Sequence, residues 1–269
     1  MIKEIFISSY EELLPLFSED QYNSDIKRYR SSYLYRGMPK ASYKMTTTLA
    51  RNCKAKKRVL EPSILKNFTK YASLEDPTLN ESVWKQMMAG QHHGLPTRLL
   101  DWSHSALVGL HFATTEKNLA KMDKHDCMVW RIDVTELHSL LPEKYRTVME
   151  KHKADIFSVD MLTEAAASVA IYDEDMGKKA MVVIEPPSIS SRIVNQYSFF
   201  SIVPSDFPDV EDYLEKYTEK TTRFIIKKEI RWQVRDLLDK LNISERVIYP
   251  GLDGLSEWLA RHYYVKNIQ

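Results

Sequence analysis

The chain has 269 residues, 43% hydrophobic and 28% charged, with 38 Lys and Arg against 37 Asp and Glu. That composition suits a globular fold with a real core, and the even charge balance excludes a global basic field that would draw in nucleic acid. The two cysteines, Cys53 and Cys127, exclude a disulfide framework or a four-thiolate metal site. No stretch approaches the roughly 20 apolar residues of a membrane span, and the charged start is no secretory signal, so a cytoplasmic location is expected.

Residues 2–7 alternate apolar and polar, the pattern of a half-buried strand, and Ser9 with Glu12 has the form of a capping box before a short helix. Residues 20–32 are polar and read as loop. Residues 32–35 read as a short strand ending at Arg36 and Gly37, where Met38 and Pro39 force a turn. Val59, Leu60, Ile64, Leu65, Phe68, Tyr71 and Ala72 recur at helical spacing, so 58–73 is an amphipathic helix with Pro62 near its start. A second helix covers 81–91 and is stopped by Gly94 and Pro96. Ser103 caps a third that runs to about Met122. Residues 127–134 and 179–185 read as strong strands, 135–175 as mainly helical, 198–203 and 223–227 as short strands, and 229–242 and 255–265 as helices. Short strands interleave with helices without regular βαβ spacing, which predicts an α+β fold. No repeat or linker divides the chain, so one mixed domain over 1–269 is expected.

The chemistry is concentrated in two stretches. Tyr35, Arg36 and Gly37 place a five-donor guanidinium, suited to a carboxylate or phosphate, beside a glycine that permits close approach. A buried ion pair inside the fold is the competing reading. Ten residues on, Thr46, Thr47 and Thr48 offer hydroxyls to a ribose, or are merely β-prone. Residues 90–103 then crowd an amide, two imidazoles, a guanidinium, a carboxylate and an indole together, a mixture poor for a core and apt for a ligand pocket. Gln91, His92, Arg98 and Trp102 are candidate ligand contacts, and His93 is a candidate acid or base. Pro96 shapes the turn. Asp101 is expected to be structural, pairing with Arg98 three residues away to lock the loop. Asn195 and Gln196, ahead of an aromatic strand, can fix a planar ring through paired hydrogen bonds; a turn-forming pair is the alternative. His104, His111 and Asp101 are spaced too loosely for a metal site, and no metal is expected.

Together these segments resemble the FRG domain, named for its aromatic-Arg-Gly motif. The resemblance rests on Tyr35-Arg36-Gly37, on the run from Gly90 to Ser103 leading into Ala106 to Ala113, on Arg192, Ile193, Gln196 and Phe200, and on the turn from Tyr249 to Gly254. It spans about residues 30–260. Ser198 stands where the family pattern prefers glycine. The family occurs mainly in bacteria and their mobile elements and is associated with toxin and anti-phage systems. Its first motif and the hydroxyl segment also resemble motifs of ADP-ribosyltransferases, which implies a split sheet of that kind and NAD as cofactor. Arg36 then corresponds to the pyrophosphate clamp and Thr47, within the hydroxyl run, to the nicotinamide pocket. The catalytic Q/E-x-E triplet of those enzymes is absent, leaving Glu185 and Glu229 as candidate carboxylates, with His93 or Gln196 substituting in part.

Three functions follow as expectations. The first is an effector that binds a nucleotide-like anion and acts as an ADP-ribosyltransferase on a macromolecular target. The second is a non-catalytic nucleotide sensor or interaction module. The third is a nuclease, disfavoured by the near-neutral charge and the lack of paired metal-binding carboxylates.

Overall fold

Every side chain of residues 127–133 is buried, as expected of a strand covered on both faces, and this strand lies near the middle of the sheet. The structure, a computed structural model, describes residues 2–18, 21–177, 179–188, 190–207 and 209–266. In chain order the strands are β1 (Lys3–Ile7), β2 (Gln21–Asn23), β3 (Arg28–Arg30), β4 (Tyr33–Met38), β5 (Leu99–Ser103), β6 (Cys127–Asp133), β7 (Val183–Ile184), β8 (Ser198–Ile202) and β9 (Thr222–Ile226). Seven of them form one sheet in the order β1-β9-β6-β4-β5-β8-β7, while β2 and β3 make a separate hairpin. Among the described strand pairs β1–β9 is parallel and the others antiparallel. The helices and the mixed sheet make an α+β fold.

Strand alternation sorts the core. Leu34, Met38, Leu100, Trp102, Met128, Trp130 and Ile132 point to one face, which is closed by Met45, Phe207 and the helix Val210–Tyr217. The opposite face carries two helical layers. Tyr33, Tyr35, Val129 and Phe224 meet the helices Ala106–Thr114 and Arg231–Lys240. Leu99, Phe200 and Ile202 meet the helices Val83–His92, Glu143–His152, Val159–Ala165 and Val169–Met176. The two layers part above the boundary between β4 and β5, where the strands share a single residue pair, Tyr35 opposite Ser103. A sheet divided into two halves is therefore not what forms: the sheet is continuous, and this seam is its thinnest joint.

Several local expectations change. Much of the segment read as loop over 20–32 is the β2–β3 hairpin, with Tyr22 and Tyr29 paired edge to face across it. The strand expected to end at Arg36 continues to Met38. Residues 99–103, read as part of a pocket loop, are β5. The third helix is capped by Ser105 and ends at Thr114, well short of Met122. Of the expected strand over 179–185, only Val183–Ile184 joins the sheet. The Glu12 carboxylate accepts the Ser8 amide at 2.6 Å, so the capping contact sits one residue earlier than expected.

Candidate functional site

The seam is bridged by a side chain. Arg36 Nη1 donates to the Asp101 carbonyl oxygen at 2.7 Å, doing for the diverging strand what a ladder bond does elsewhere, and lies 3.6 Å from Asp101 Oδ2. Burial lowers the Arg36 pKa, Asp101 opposes that shift, and the neighbouring Arg51 charge adds to it; a guanidinium stays charged regardless. Arg51 itself is held by the Thr46 carbonyl and, at 3.1 Å, by Thr48 Oγ1. Thr47 is a helix cap, its Oγ1 accepting the Ala50 amide at 3.1 Å. Tyr35 is a core residue. Gly37 packs so closely on the helix Ala106–Thr114 that a methyl there would fall inside the Gly109 carbonyl oxygen and the Ala113 amide.

The expected Arg98–Asp101 pair does not form. Arg98 is buried and fully engaged: it binds Glu61 through Nε and Nη2, Asp173 at 2.6 Å through Nη1, and Ser205 Oγ at 2.8 Å. Burial alone would lower its pKa, but the hydrogen bonds and charges of Glu61 and Asp173 raise it. Asp101 instead leaves 57% of its side chain open to solvent. Gln91 steadies it, Nε2 donating to the two carboxylate oxygens at 3.0 and 3.1 Å while Oε1 accepts the Thr97 hydroxyl at 2.6 Å. Trp102 lies in the core and donates to Ser201 Oγ at 2.9 Å.

Between the helix Val83–His92, the helix Ser191–Asn195 and the helix Leu252–His262 opens a cleft of about 880 Å³; Asp101 does not line it, but its charge is felt at Tyr249 on the wall. The two late motif segments are tied together at its wall: Asn195 Nδ2 donates to the Val247 carbonyl at 2.7 Å and Gln196 Nε2 to the Ile248 carbonyl at 3.1 Å. That fastening presents Tyr249, whose ring carries the Arg192 guanidinium at 5.2 Å. Among the described residues Arg192 makes no ion pair. Gly254 allows the following helix to start against the Tyr249 carbonyl, a space no side chain could share. Burial raises the Tyr249 pKa, Arg192 opposes, and Glu257, Asp101 and Glu245 add, so the phenol keeps its proton. His92, also on the cleft wall, is held neutral by burial and by the charges of Arg192 and His93.

Four charged residues that the sequence reading passed over form the floor and its support. Arg235 is 0% exposed; it donates through Nη1 to His111 Nδ1 at 2.9 Å and pairs through Nη2 with Glu245, while its Nε has no partner. Arg261 binds Glu245 at 2.8 Å and Asp239 at 2.7 Å. Because Arg235 donates to Nδ1, the His111 proton sits on Nε2. The signal was present: Arg231 and Arg235 occupy the same helical stripe as Val234 and Leu238, an apolar face where a guanidinium is anomalous. At the rim, Arg192 and Lys117 alternate with Glu116, Asp253 and Glu257.

The remaining candidates lie elsewhere. His93 is exposed next to His92, ring centroids 5.1 Å apart. Pro96 sits half-buried in the turn before β5. Glu185 lines a separate cleft of about 440 Å³ with His104 and Phe199, so it and His92 do not share a hollow. Among the described residues no cluster of three His, Cys, Asp or Glu is placed to hold a metal, and no helix is long and apolar enough to cross a membrane. A family model described as the FRG domain matches residues 31–122, from before β4 to beyond the helix Ala106–Thr114. No curated protein and no solved structure matches the chain.

Proposed function

We propose that this chain, which carries an FRG domain over residues 31–122, binds a nucleotide-like ligand in the cleft walled by His92, Arg192 and Tyr249. The observation that carries the reading is Arg235: a fully buried guanidinium on the cleft floor with Nε unpartnered. A buried donor without an acceptor costs about 1–3 kcal/mol, and a phosphate oxygen is a fitting acceptor. The mixed rim supports a nucleotide over a simple anion. Arg192 and Lys117 suit phosphate, Asp253 and Glu257 suit ribose hydroxyls, and Tyr249 and His92 offer ring faces. The cleft also joins the matched segment to residues 192–254, in keeping with a functional core that reaches to about 260. Thermal unfolding with NAD, ADP-ribose and ATP tests the proposal. A ligand at about a hundredfold its Kd adds about 2.7 kcal/mol, or roughly 5–10 °C in Tm. Arg192→Ala should erase the shift, and no shift with any of the three removes the reading.

ADP-ribosyl transfer is a second reading, favoured by Asp101. Breaking the N-glycosidic bond of NAD sends the bonding electron pair out with nicotinamide and leaves positive charge on the ribose carbon until an acceptor attacks it. A carboxylate near that carbon stabilises the charge, and Asp101, outside the cleft lining but close enough to act on Tyr249, is fixed by Gln91 yet open. Labelled NAD with bacterial lysate should yield nicotinamide and labelled product, and Asp101→Asn should abolish both. Binding without turnover leaves the sensor reading. The bacterial toxin or anti-phage setting follows from the family resemblance and is tested by growth arrest on expression, lost in Arg192→Ala.

A further inference from the structure

A second hollow, lined by none of the motif residues, lies between the helix Lys57–Ala72 and the helices Val83–His92 and Val169–Met176. It measures about 630 Å³. Pro62, Leu65 and Val83 give it an apolar floor, and Glu61 on the same wall is neutralised by Arg98. Three features of its polar end converge. Lys66 and Lys70, one turn apart on the helix Lys57–Ala72, both line it, and neither makes an ion pair among the described residues. Both are exposed, Lys70 with its ammonium 5.4 Å from the Tyr71 ring, and they put two like charges side by side at the mouth of the hollow. Across the gap stands the start of the helix Val169–Met176. Ser168 Oγ accepts the Ile171 amide at 3.3 Å, which leaves the amides of Val169 and Ala170 without intrahelical acceptors at the positive end of the helix. Between these groups Thr69, only 7% exposed, lines the hollow with its Oγ1 unpartnered. A buried hydroxyl left unpaired is costly, and a ligand oxygen would satisfy it.

From this convergence we infer that the hollow is a binding site for a small amphiphilic anion: an apolar tail on the floor of Pro62, Leu65 and Val83, and a phosphate or carboxylate head held by Lys66, Lys70, Thr69 and the two free helix amides. The site is independent of the nucleotide cleft. Calorimetric titration of the full chain with octyl phosphate, octanol and inorganic phosphate tests it. Octyl phosphate should bind once per chain, about tenfold or more tighter than either fragment. Replacing both lysines (Lys66→Ala with Lys70→Ala) should weaken it about tenfold and flatten its dependence on salt. Thr69→Val should weaken octyl phosphate yet raise the Tm of the ligand-free protein, since it removes an unsatisfied hydroxyl; a purely structural threonine would give a lower Tm. Octanol binding as tightly as octyl phosphate, an unaffected lysine double variant, or no heat with octyl phosphate each overturns the assignment.

Discussion

Truncating Arg98 strands the two carboxylates it holds inside the protein, Glu61 and Asp173. Arg98→Ala is therefore expected to cost about 3–5 kcal/mol in urea unfolding. Asp101→Asn is expected to cost less than about 1 kcal/mol, because the side chain is more than half exposed and an amide can still bond Gln91. The inverse order would show that Asp101, and not Arg98, is the structural member. Sequence spacing pointed the other way for a definable reason. Residues three apart are neighbours on a helix, whereas Asp101 lies within a strand, where successive side chains alternate between faces. Arg98 then turns to distant partners that no local pattern reveals. The amides at 195 and 196 show the same limit: their pairing with 247 and 248 spans fifty-two positions, so a fastening was legible only as two polar side chains ahead of a strand.

At the level of elements, the contact between β4 and the helix Ala106–Thr114 depends on two glycines, Gly37 against the Gly109 carbonyl and Gly109 against the Tyr35 side chain. Gly37→Ala has no flexible neighbour to displace, only backbone, and is expected to destabilise by about 3 kcal/mol or more in urea unfolding. Thr47→Ala removes a helix cap and should cost about 1 kcal/mol by the same measurement. Elements with strong periodicity were readable: β6, β9 and the helix Lys57–Ala72 lie close to where hydrophobic spacing puts them. β5 was hidden by the polar residues before it, and β7 was overextended because Lys179 to Val182 have strand-like composition but stay outside the ladder, apart from the Val182 carbonyl that accepts the Ile202 amide at 3.0 Å. The cleft was half legible. Arg192, Tyr249 and His92 stood in motif segments, while Arg235, Glu245 and Arg261 belonged to a helical region with no motif at all.

Across the whole molecule, two buried imidazoles make stability depend on pH. Burial, reinforced by Arg235, pushes His111 down to about 3. Burial pushes His138 down to about 4, against the hydrogen bond with the Asp155 carbonyl, while the Val183 amide donates to Nε2 at 3.1 Å, a bond only the neutral ring can accept. In the folded protein both stay neutral, while in the unfolded chain they take up protons near the ordinary value of 6.5. Their contribution is thus complete above that value and drains away as pH falls toward 4 and 3, by about 1 kcal/mol per histidine per pH unit. Glu245 adds a later loss. Burial pushes it up, but the Arg261 hydrogen bond and the Arg235 charge prevail and hold it at about 2, so its share disappears between 4.5 and 2. Urea midpoints should be level from about pH 7.5 to 6.5 and fall by about pH 5.5; a level profile throughout would remove both histidines from the account. The β1–β9 pairing has its own consequence for biogenesis. Residues 3–7 are parallel partners of residues 222–226, so a ribosome must add some two hundred residues before the first strand can dock, a wait of roughly 10–40 s at ordinary elongation rates. During that interval the opening segment presents an unsatisfied, partly apolar edge, which makes it the natural target for a holding chaperone and the place where slowed translation or its failure would first surface as aggregation.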